Sequence, residues 1–228
     1  MRIIGDKSVF AIEYELFNTE KDNVSIWHRL QGTMSMYVYE KNICEYLFNE
    51  KEFTYNGVLY YIVDWLCENL SNIVGYDPYP MPVEAENVLE LISKANEFET
   101  NDELEEYLWY SSEQNWIFRH SWRAVSETAI PSVFFRRKGE FIEISWDNEY
   151  WKEHKVIFTS QIGSKLVRLD VFRTVIIDFL IAIIADITIN DHNSASKVKE
   201  WLLEIRMLIF DVPTENIIKE IMKNCNKF

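Results

Sequence analysis

The chain has 228 residues, of which 48% are hydrophobic and 15% aromatic, which is enough for a packed core and excludes a disordered chain. Its formal charge of −14 argues against general binding to nucleic acid or to an anionic membrane surface, because both need a clustered basic face. The acidity is uneven: residues 1–118 hold 22 Asp/Glu and 7 Lys/Arg, whereas residues 119–228 hold 15 and 16. We therefore expect an acidic surface on the first half of the chain.

The N-terminal part, residues 1–75, is predicted to be rich in strands. Runs of β-forming residues predict three strands, over Ser8–Phe17, Ser25–Leu30 and Thr33–Tyr39. A tight hairpin turn is expected at Gln31-Gly32, between the second and third of them. A second hairpin turn is expected at Asn56-Gly57, because Asn-Gly is a strong hairpin signal.

A helix and then an irregular segment are predicted to follow. Apolar residues at helical spacing indicate a helix that starts near Tyr60 and ends at Gly75. The next residues, 76–82, contain three prolines, which disfavour regular structure and predict an extended connector. We place the candidate domain boundary there. The remaining chain, residues 83–228, is predicted to hold helices and a hairpin and to pack with the first part as one unit.

Two acidic helices are predicted directly after the connector, over Val83–Phe98 and Asn101–Ser111. Asn101 or Thr100 is expected to cap the second helix. Glu103 and Glu106 then lie in or near its first turn, where the positive end of the helix dipole favours carboxylates. The outward faces of both helices are therefore predicted to be acidic.

The last part of the chain has the clearest local signals. A β-hairpin is predicted from strands over Val133–Arg136 and Phe141–Trp146, since Lys138-Gly139 suits a tight turn. Further elements are predicted in chain order as a strand over Lys155–Thr159, a buried helix over Asp170–Ile187, and helices over Lys197–Ile209 and Thr214–Lys223. The apolar run of the buried helix is too short and too polar to span a bilayer.

These elements together predict an α+β fold. Antiparallel strands with helices form its N-terminal part. A β-hairpin and a C-terminal helical layer then surround one buried central helix.

An acidic, aromatic surface is predicted to bind a basic partner. The candidates for this partner-binding surface are Trp27, Tyr37, Tyr39, Tyr76, Tyr79, Glu103 and Glu106. Tyr76 and Tyr79 are favoured most, because the prolines of the connector hold them on a segment with little capacity for burial. We expect them to be covered either by a partner or by another part of the same chain.

A basic cluster offers a different prediction. Arg119 and Arg123 are four residues apart and share a face if their segment is helical, with His120 between them and Arg136 further along. Arginine supplies forked donors and histidine titrates near neutrality, so these four residues could bind a phosphate or carboxylate. The other interpretation is that these cations neutralise the acidic helices of the chain itself.

An acidic pair follows the predicted hairpin. Asp147 and Glu149 are flanked by Trp146, Tyr150 and Trp151, a setting that could hold a sugar or a metal ion. Asp and Asn at the end of a strand more often make local turns, so the structural interpretation is favoured.

Other chemistry has little support in the sequence. Cys44, Cys67 and Cys225 are odd in number and widely spaced, which fits the reduced thiols of a cytoplasmic protein better than disulfides or a zinc site. The four histidines are scattered, and the six glycines form neither a phosphate-binding loop nor a dinucleotide fingerprint. We therefore expect no catalytic residue, no metal and no cofactor.

In its acidic, aromatic and cysteine-poor composition the chain is similar to bacterial toxin-immunity proteins. The acidic half of the chain, together with this likeness, predicts a non-catalytic cytoplasmic protein, of the immunity type or an anti-defence inhibitor, that engages a basic protein. Two alternatives stay open. One is an enzyme or sensor for an anionic small molecule, a phosphate or nucleotide, which would use the Arg/His cluster. The other is a subunit of a homo-oligomeric assembly.

Overall fold

The computed structural model describes residues 1–17, 25–122, 129–187, 189, 191–209 and 212–226, and for residues 212–215 the backbone alone. It confirms the α+β class, with antiparallel sheets and helices around one long buried helix. Within these ranges, no helix combines the length and the apolar character needed to cross a membrane.

The described strands pair antiparallel in three sheets. They are β1 (Arg2–Asp6), β2 (Phe10–Leu16), β3 (Gln31–Val38), β4 (Lys41–Asn42), β5 (Tyr46–Phe48), β6 (Lys51–Phe53), β7 (Tyr55–Val58), β8 (Ser121–Trp122), β9 (Val133–Lys138), β10 (Phe141–Asp147), β11 (Val156–Phe158) and β12 (Ile162–Arg168). The first sheet has the order β1-β2-β3-β4, with β7 also paired to β3. The second sheet has the order β12-β10-β9-β8, and the small third sheet has the order β11-β5-β6.

The helices lie between and after these strands. They are α1 (Ile26–Arg29), α2 (Tyr60–Val74), α3 (Val88–Asn96), α4 (Glu103–His120), α5 (Leu169–Ala185), α6 (His192–Arg206) and α7 (Val212–Cys225), with a 3-10 helix at Glu149–His154. Helix α2 ends before Gly75, as its spacing predicts, and residues 76–82 contain neither helix nor strand.

Helix α5 is the centre of the core. It is apolar on nearly all sides, and the three acids in and directly after it, Asp170, Asp178 and Asp186, are all exposed. Phe172 is fully buried and contacts both large sheets, with ring centroids 5.2 Å from Phe10 and 5.5 Å from Phe135. One hydrophobic cluster runs from strand β2 to helix α7 and contains residues from both sides of the connector.

Both hairpin turns predicted in the first part of the chain are wrong. Gly32 lies inside β3 and Gly57 inside β7, and these two glycines face each other across the pair. A Cβ on Gly32 would lie 2.1 Å from the backbone oxygen of Glu15, so glycine serves close strand packing there. The strand predicted over Ser25–Leu30 is also wrong, because helix α1 occupies most of it.

The boundaries of the two acidic helices also differ from the prediction. Helix α3 begins only after Asn87, whose side chain accepts a hydrogen bond from the Glu90 amide at 3.0 Å. Helix α4 is capped by Asp102 rather than by Asn101 or Thr100. It continues past Ser111 as far as His120.

Candidate functional site

The first turns of α4, as far as Leu108, are exposed to solvent. Every residue from Glu103 to Leu108 is exposed, and these residues are three glutamates, two leucines and one tyrosine. The Asp102 carboxylate caps this end by accepting hydrogen bonds from the amides of Leu104 at 2.9 Å and Glu105 at 3.2 Å. The end is therefore an ordered helical turn with carboxylates at the positive end of the dipole.

Apolar side chains on this part of α4 are unusually exposed. Leu104 and Tyr107 are each 66% exposed, and Leu108 and Tyr110 are 56% and 58% exposed. Positions 104, 107 and 108 have the spacing of one helix face. We call the following residues the α4 surface: Glu103, Leu104, Glu106, Tyr107, Leu108 and Tyr110. This surface combines exposed apolar side chains with carboxylates.

The second half of α4 is anchored. Trp116 and Ile117 are buried in a small cluster with Val88 of α3 and Phe134 of β9. The Trp116 indole donates a hydrogen bond to the backbone oxygen of Asp77 at 2.9 Å, which ties the helix to the proline-rich connector. Because one half is fixed, the α4 surface is presented in a single orientation.

The connector aromatics predicted to bind a partner have different positions. Tyr76 is 90% exposed. Tyr79 is half-buried: its ring packs edge-on against Trp116 at 5.0 Å and its hydroxyl donates to the buried Glu113 carboxylate. Burial, with the neighbouring Glu113 charge, raises the pKa of Tyr79. Tyr79 thus joins the connector to α4, whereas Tyr76 remains accessible.

The other predicted aromatics lie on different elements from α4. Trp27 is on α1, with its ring 4.9 Å from that of His28. Tyr37 on β3 donates a hydrogen bond to Glu13 at 2.8 Å. Tyr39 follows β3, is 44% exposed, and donates to the backbone oxygen of Leu166 at 2.8 Å. The structure therefore does not place these three on the helix that carries Glu103 and Glu106.

The sequence alone did not single out Leu104, Tyr107, Leu108 and Tyr110. Apolar residues at helical spacing ordinarily indicate a buried face, so the pattern by itself points to core. The signal that could have found them is their interleaving with Glu103, Glu105 and Glu106, which leaves the helix without a clean apolar side.

The predicted Arg/His cluster is only partly described. Arg119 forms an ion pair with Asp77, with its Nε atom 3.0 Å from Oδ2. His120 is 1% exposed and stacks on Trp116 at a centroid distance of 4.1 Å. Arg123 lies outside the described residues. An anion at this place would have to compete with Asp77 for Arg119.

Arg136 has a separate set of partners. Its Nε atom donates to the buried Glu143 carboxylate at 2.9 Å, and its terminal nitrogen donates to the backbone oxygen of Glu86 at 3.0 Å. Glu143 is 1% exposed and also accepts a hydrogen bond from the Val88 amide at 2.6 Å. Arg136 and Glu143 thus fix the start of α3 to the second sheet, but Glu143 lies on strand β10 and not on one of the acidic helices that the self-neutralising interpretation names.

The acidic pair after β10 makes a local turn. The Asp147 carboxylate accepts a hydrogen bond from the Glu149 amide at 3.0 Å, and Glu149 pairs with Lys152 at 2.9 Å. Across the part of the chain that the structure describes, no three His, Cys, Asp or Glu side chains are grouped to hold a metal ion. Cys44, Cys67 and Cys225 are buried and unpaired, and burial raises the pKa of Cys44 to about 12.

We expect His120 to make stability depend on pH. Burial lowers the pKa of His120 below its ordinary value of 6.5, so the unfolded chain binds the proton more tightly than the folded one. The contribution is therefore present above pH 6.5 and is lost as the pH falls from 6.5 towards the folded pKa. Between pH 7.5 and 5.5 the loss is up to about 1 kcal/mol.

Urea unfolding at these two pH values measures this loss. The variant His120→Asn keeps a donor for the Trp116 carbonyl but does not titrate. Its free energy of unfolding should change less between the two pH values than that of the wild type. An equal change in both proteins would contradict the assignment.

The geometry thus defines an α+β protein with a buried central helix and an exposed acidic helix anchored at one end. Residues 11–189 match a family described as a family of unknown function, DUF5984, and the chain belongs to this family. The matched span includes α4, the connector and α5. No curated protein and no solved structure matches the chain.

Proposed function

We propose that this protein is a non-catalytic acidic binding protein that engages a basic protein partner through the α4 surface. The observation that carries the proposal is the exposure of every residue from Glu103 to Leu108 on a helix whose other half buries one face, at Glu113, Trp116, Ile117 and His120. A soluble helix normally buries one face, so an ordered turn without a covered face favours a binding role.

The chemistry of the surface favours a basic partner. Residues 84–113 hold ten Asp/Glu and one Lys, so the field around α4 is strongly negative. Such a field attracts a basic protein and speeds its encounter. Leu104, Tyr107 and Leu108 then supply the apolar centre of the contact, and Glu103 and Glu106 supply charges that face Lys or Arg.

A second copy of the chain is a less favourable occupant. Two α4 surfaces in contact would bring Glu103 and Glu106 of one copy close to those of the other. Like charges across an interface oppose association. The homo-oligomer alternative is therefore an outcome to be tested, by light scattering of the purified protein.

We assign the protein to the inhibitor class, of the immunity type or an anti-defence protein, acting in the cytoplasm. The acidic α4 surface supports this assignment because it suits the charge-complementary blocking of a basic enzyme. The compositional similarity to bacterial toxin-immunity proteins and the unpaired buried thiols agree with it. An anion-binding role for Arg119, His120, Arg123 and Arg136 is less favoured, because Arg119 and Arg136 are engaged by carboxylates.

The test is a quantitative affinity capture from a lysate of the source organism at low salt. The variant L104A/Y107A/L108A removes the apolar centre, and E103Q/E106Q removes two charges. The control E204Q/E220Q makes the same charge change on α6 and α7, at residues that are exposed.

We expect a basic protein retained in a one-to-one ratio by the wild type and by the control. The apolar variant should weaken binding about hundredfold, and the charge variant about tenfold. Retention that is equal in all four proteins would overturn the proposal, as would a retained partner that is acidic. A dimer that α4 variants dissociate would favour the homo-oligomer instead.

A further inference from the structure

Apart from the α4 surface, the protein has a groove that is built from residues outside α4. It is a groove of about 1110 Å³ between α3, β9, the 3-10 helix and the small third sheet. Its apolar lining residues include Phe48, Leu89, Ile92, Phe134, Trp151 and Val156. The volume is slightly larger than that of typical small-molecule sites, which span roughly 300–1,000 Å³.

The wall of the groove that follows β10 is held in place by local hydrogen bonds. The Asp147 carboxylate accepts from the Glu149 amide at 3.0 Å and so starts the 3-10 helix. The Trp151 indole donates to the backbone oxygen of Ile130 at 2.9 Å, and Trp151 is only 8% exposed. Lys155 ends the turn in the left-handed conformation, with φ at 61°. The aromatic side chains of this turn are therefore carried on a fixed backbone.

Three rings of this turn form an aromatic corner, which consists of Tyr150, Trp151 and His154. The Tyr150 ring lies 4.8 Å from His154 and 5.7 Å from Trp151, and the latter two lie 6.0 Å apart. The planes are inclined to one another by 49°, 73° and 65° respectively. Tyr150 is 63% exposed and lines the groove, so its ring is accessible to a ligand.

The charge of the groove is of one sign. Asp147 and Glu149 both line it, and within the described ranges its lining contains neither Lys nor Arg. The Glu149 carboxylate also forms an ion pair with Lys152, whose Nζ atom lies 2.9 Å from Oε1. Asp147 forms no ion pair with any Lys or Arg of the described chain. A carboxylate beside open aromatic rings is a setting that attracts a cation.

We propose that this groove binds a small organic cation, an ammonium or guanidinium group on an aromatic or aliphatic body. The charged group lies against the Tyr150 ring and near the Asp147 and Glu149 carboxylates. The body lies on Leu89, Ile92 and Phe134. A neutral saccharide fits less well because this side of the groove is apolar. The site is separate from the α4 surface, so it goes beyond the proposed function.

The test uses three probes with one shared body: 2-phenylethylammonium, 2-phenylethanol and 3-phenylpropionate. They carry positive, zero and negative charge and are titrated into the full chain by calorimetry at low salt. We expect one-to-one binding of the ammonium, at least about fivefold weaker binding of the alcohol, and none of the carboxylate. Added salt should weaken binding of the ammonium.

Variants assign the binding to the groove. Tyr150→Ala should raise the dissociation constant of the ammonium about threefold to fivefold, and Asp147→Asn and Glu149→Gln about threefold each. Lys152→Gln should lower it, because a competing cation is removed. The matched control is Glu153→Gln. It makes the same charge change as Glu149→Gln on the same turn, but Glu153 does not line the groove. It should leave the dissociation constant of the ammonium unchanged.

Three results would overturn the proposal. The first is equal affinity for the ammonium and the alcohol, and the second is an equal loss in Glu149→Gln and Glu153→Gln. The third is binding of a triarginine peptide without binding of phenylethylammonium, which would assign the groove to a partner's side chains. None of these results bears on the α4 surface, whose own test uses different residues and a protein partner.

Discussion

Replacing Glu143 by Gln is expected to lower the free energy of unfolding by about 3–5 kcal/mol. The buried carboxylate accepts hydrogen bonds from Arg136, from the Val88 amide and from the Ser145 hydroxyl. An amide has the same shape but turns its NH₂ group towards one of these donors. It also leaves Arg136, which is 13% exposed, without an opposite charge. Breaking one partner of a buried pair is costly because the remaining charge stays desolvated.

Urea unfolding followed by circular dichroism measures the loss. The matched control is Glu140→Gln in the turn of the same hairpin, where the side chain is exposed, and its effect should stay within about 0.5 kcal/mol. If Glu143→Gln were as stable as the control, Arg136 would not depend on Glu143. The interpretation of Arg136 as an anion-binding residue would then be favoured again.

The second large effect is expected from Phe172→Ala, which should cost about 3–5 kcal/mol. Phe172 is fully buried in α5 and contacts Phe10 of the first sheet and Phe135 of the second. Removing the ring leaves a cavity at the point where the two sheets meet. Because one hydrophobic cluster spans both sides of the connector, the variant should still unfold in a single transition at a lower urea concentration.

Calorimetry and urea unfolding together check this expectation. Phe118→Ala removes the same ring from a position that is 68% exposed and should change stability by no more than about 0.5 kcal/mol. Two separate transitions in the Phe172 variant, one for each side of the connector, would contradict the single-core account.

The elements that sequence reasoning found are those with strong local signals. The apolar run over Asp170–Ile187 predicts a buried helix, and α5 occupies Leu169–Ala185. The hairpin around Gly139 is also correct, since Gly139 has a φ of 61° and suits its turn without strain. In both places the residues near one another in sequence decide the structure.

The elements that were missed depend on contacts distant in sequence or on unusual turn residues. The hairpin between β3 and β4 turns at Tyr39 and Glu40, which have φ values of 49° and 68° although neither is glycine. In this part of the chain, turn signals based on glycine therefore point to the wrong places, Gly32 and Gly57. Gly32 is needed for close packing against strand β2, and Gly57 lies opposite it in the β3–β7 pair; no local pattern reveals either position.

In the candidate site, too, features with a local cause could be predicted from the sequence, and features that depend on the fold could not. Glu103 and Glu106 could be predicted because acids near a helix start have a local electrostatic reason. The pairing of Arg119 with Asp77 and of Arg136 with Glu143 could not be predicted from composition, since each depends on the fold. The exposure of Leu104 and Tyr107 could not be predicted either, because it depends on which helices the core leaves uncovered.

The most direct test of the α4 account is the salt dependence of the dissociation constant for the basic partner retained in the capture experiment. The logarithm of this constant should rise with the logarithm of salt concentration for the wild type and for E204Q/E220Q. The slope should be clearly smaller for E103Q/E106Q, because two of the charges that attract the partner are gone. The same slope in all three proteins would show that the carboxylates of α4 do not face the partner and would contradict the account.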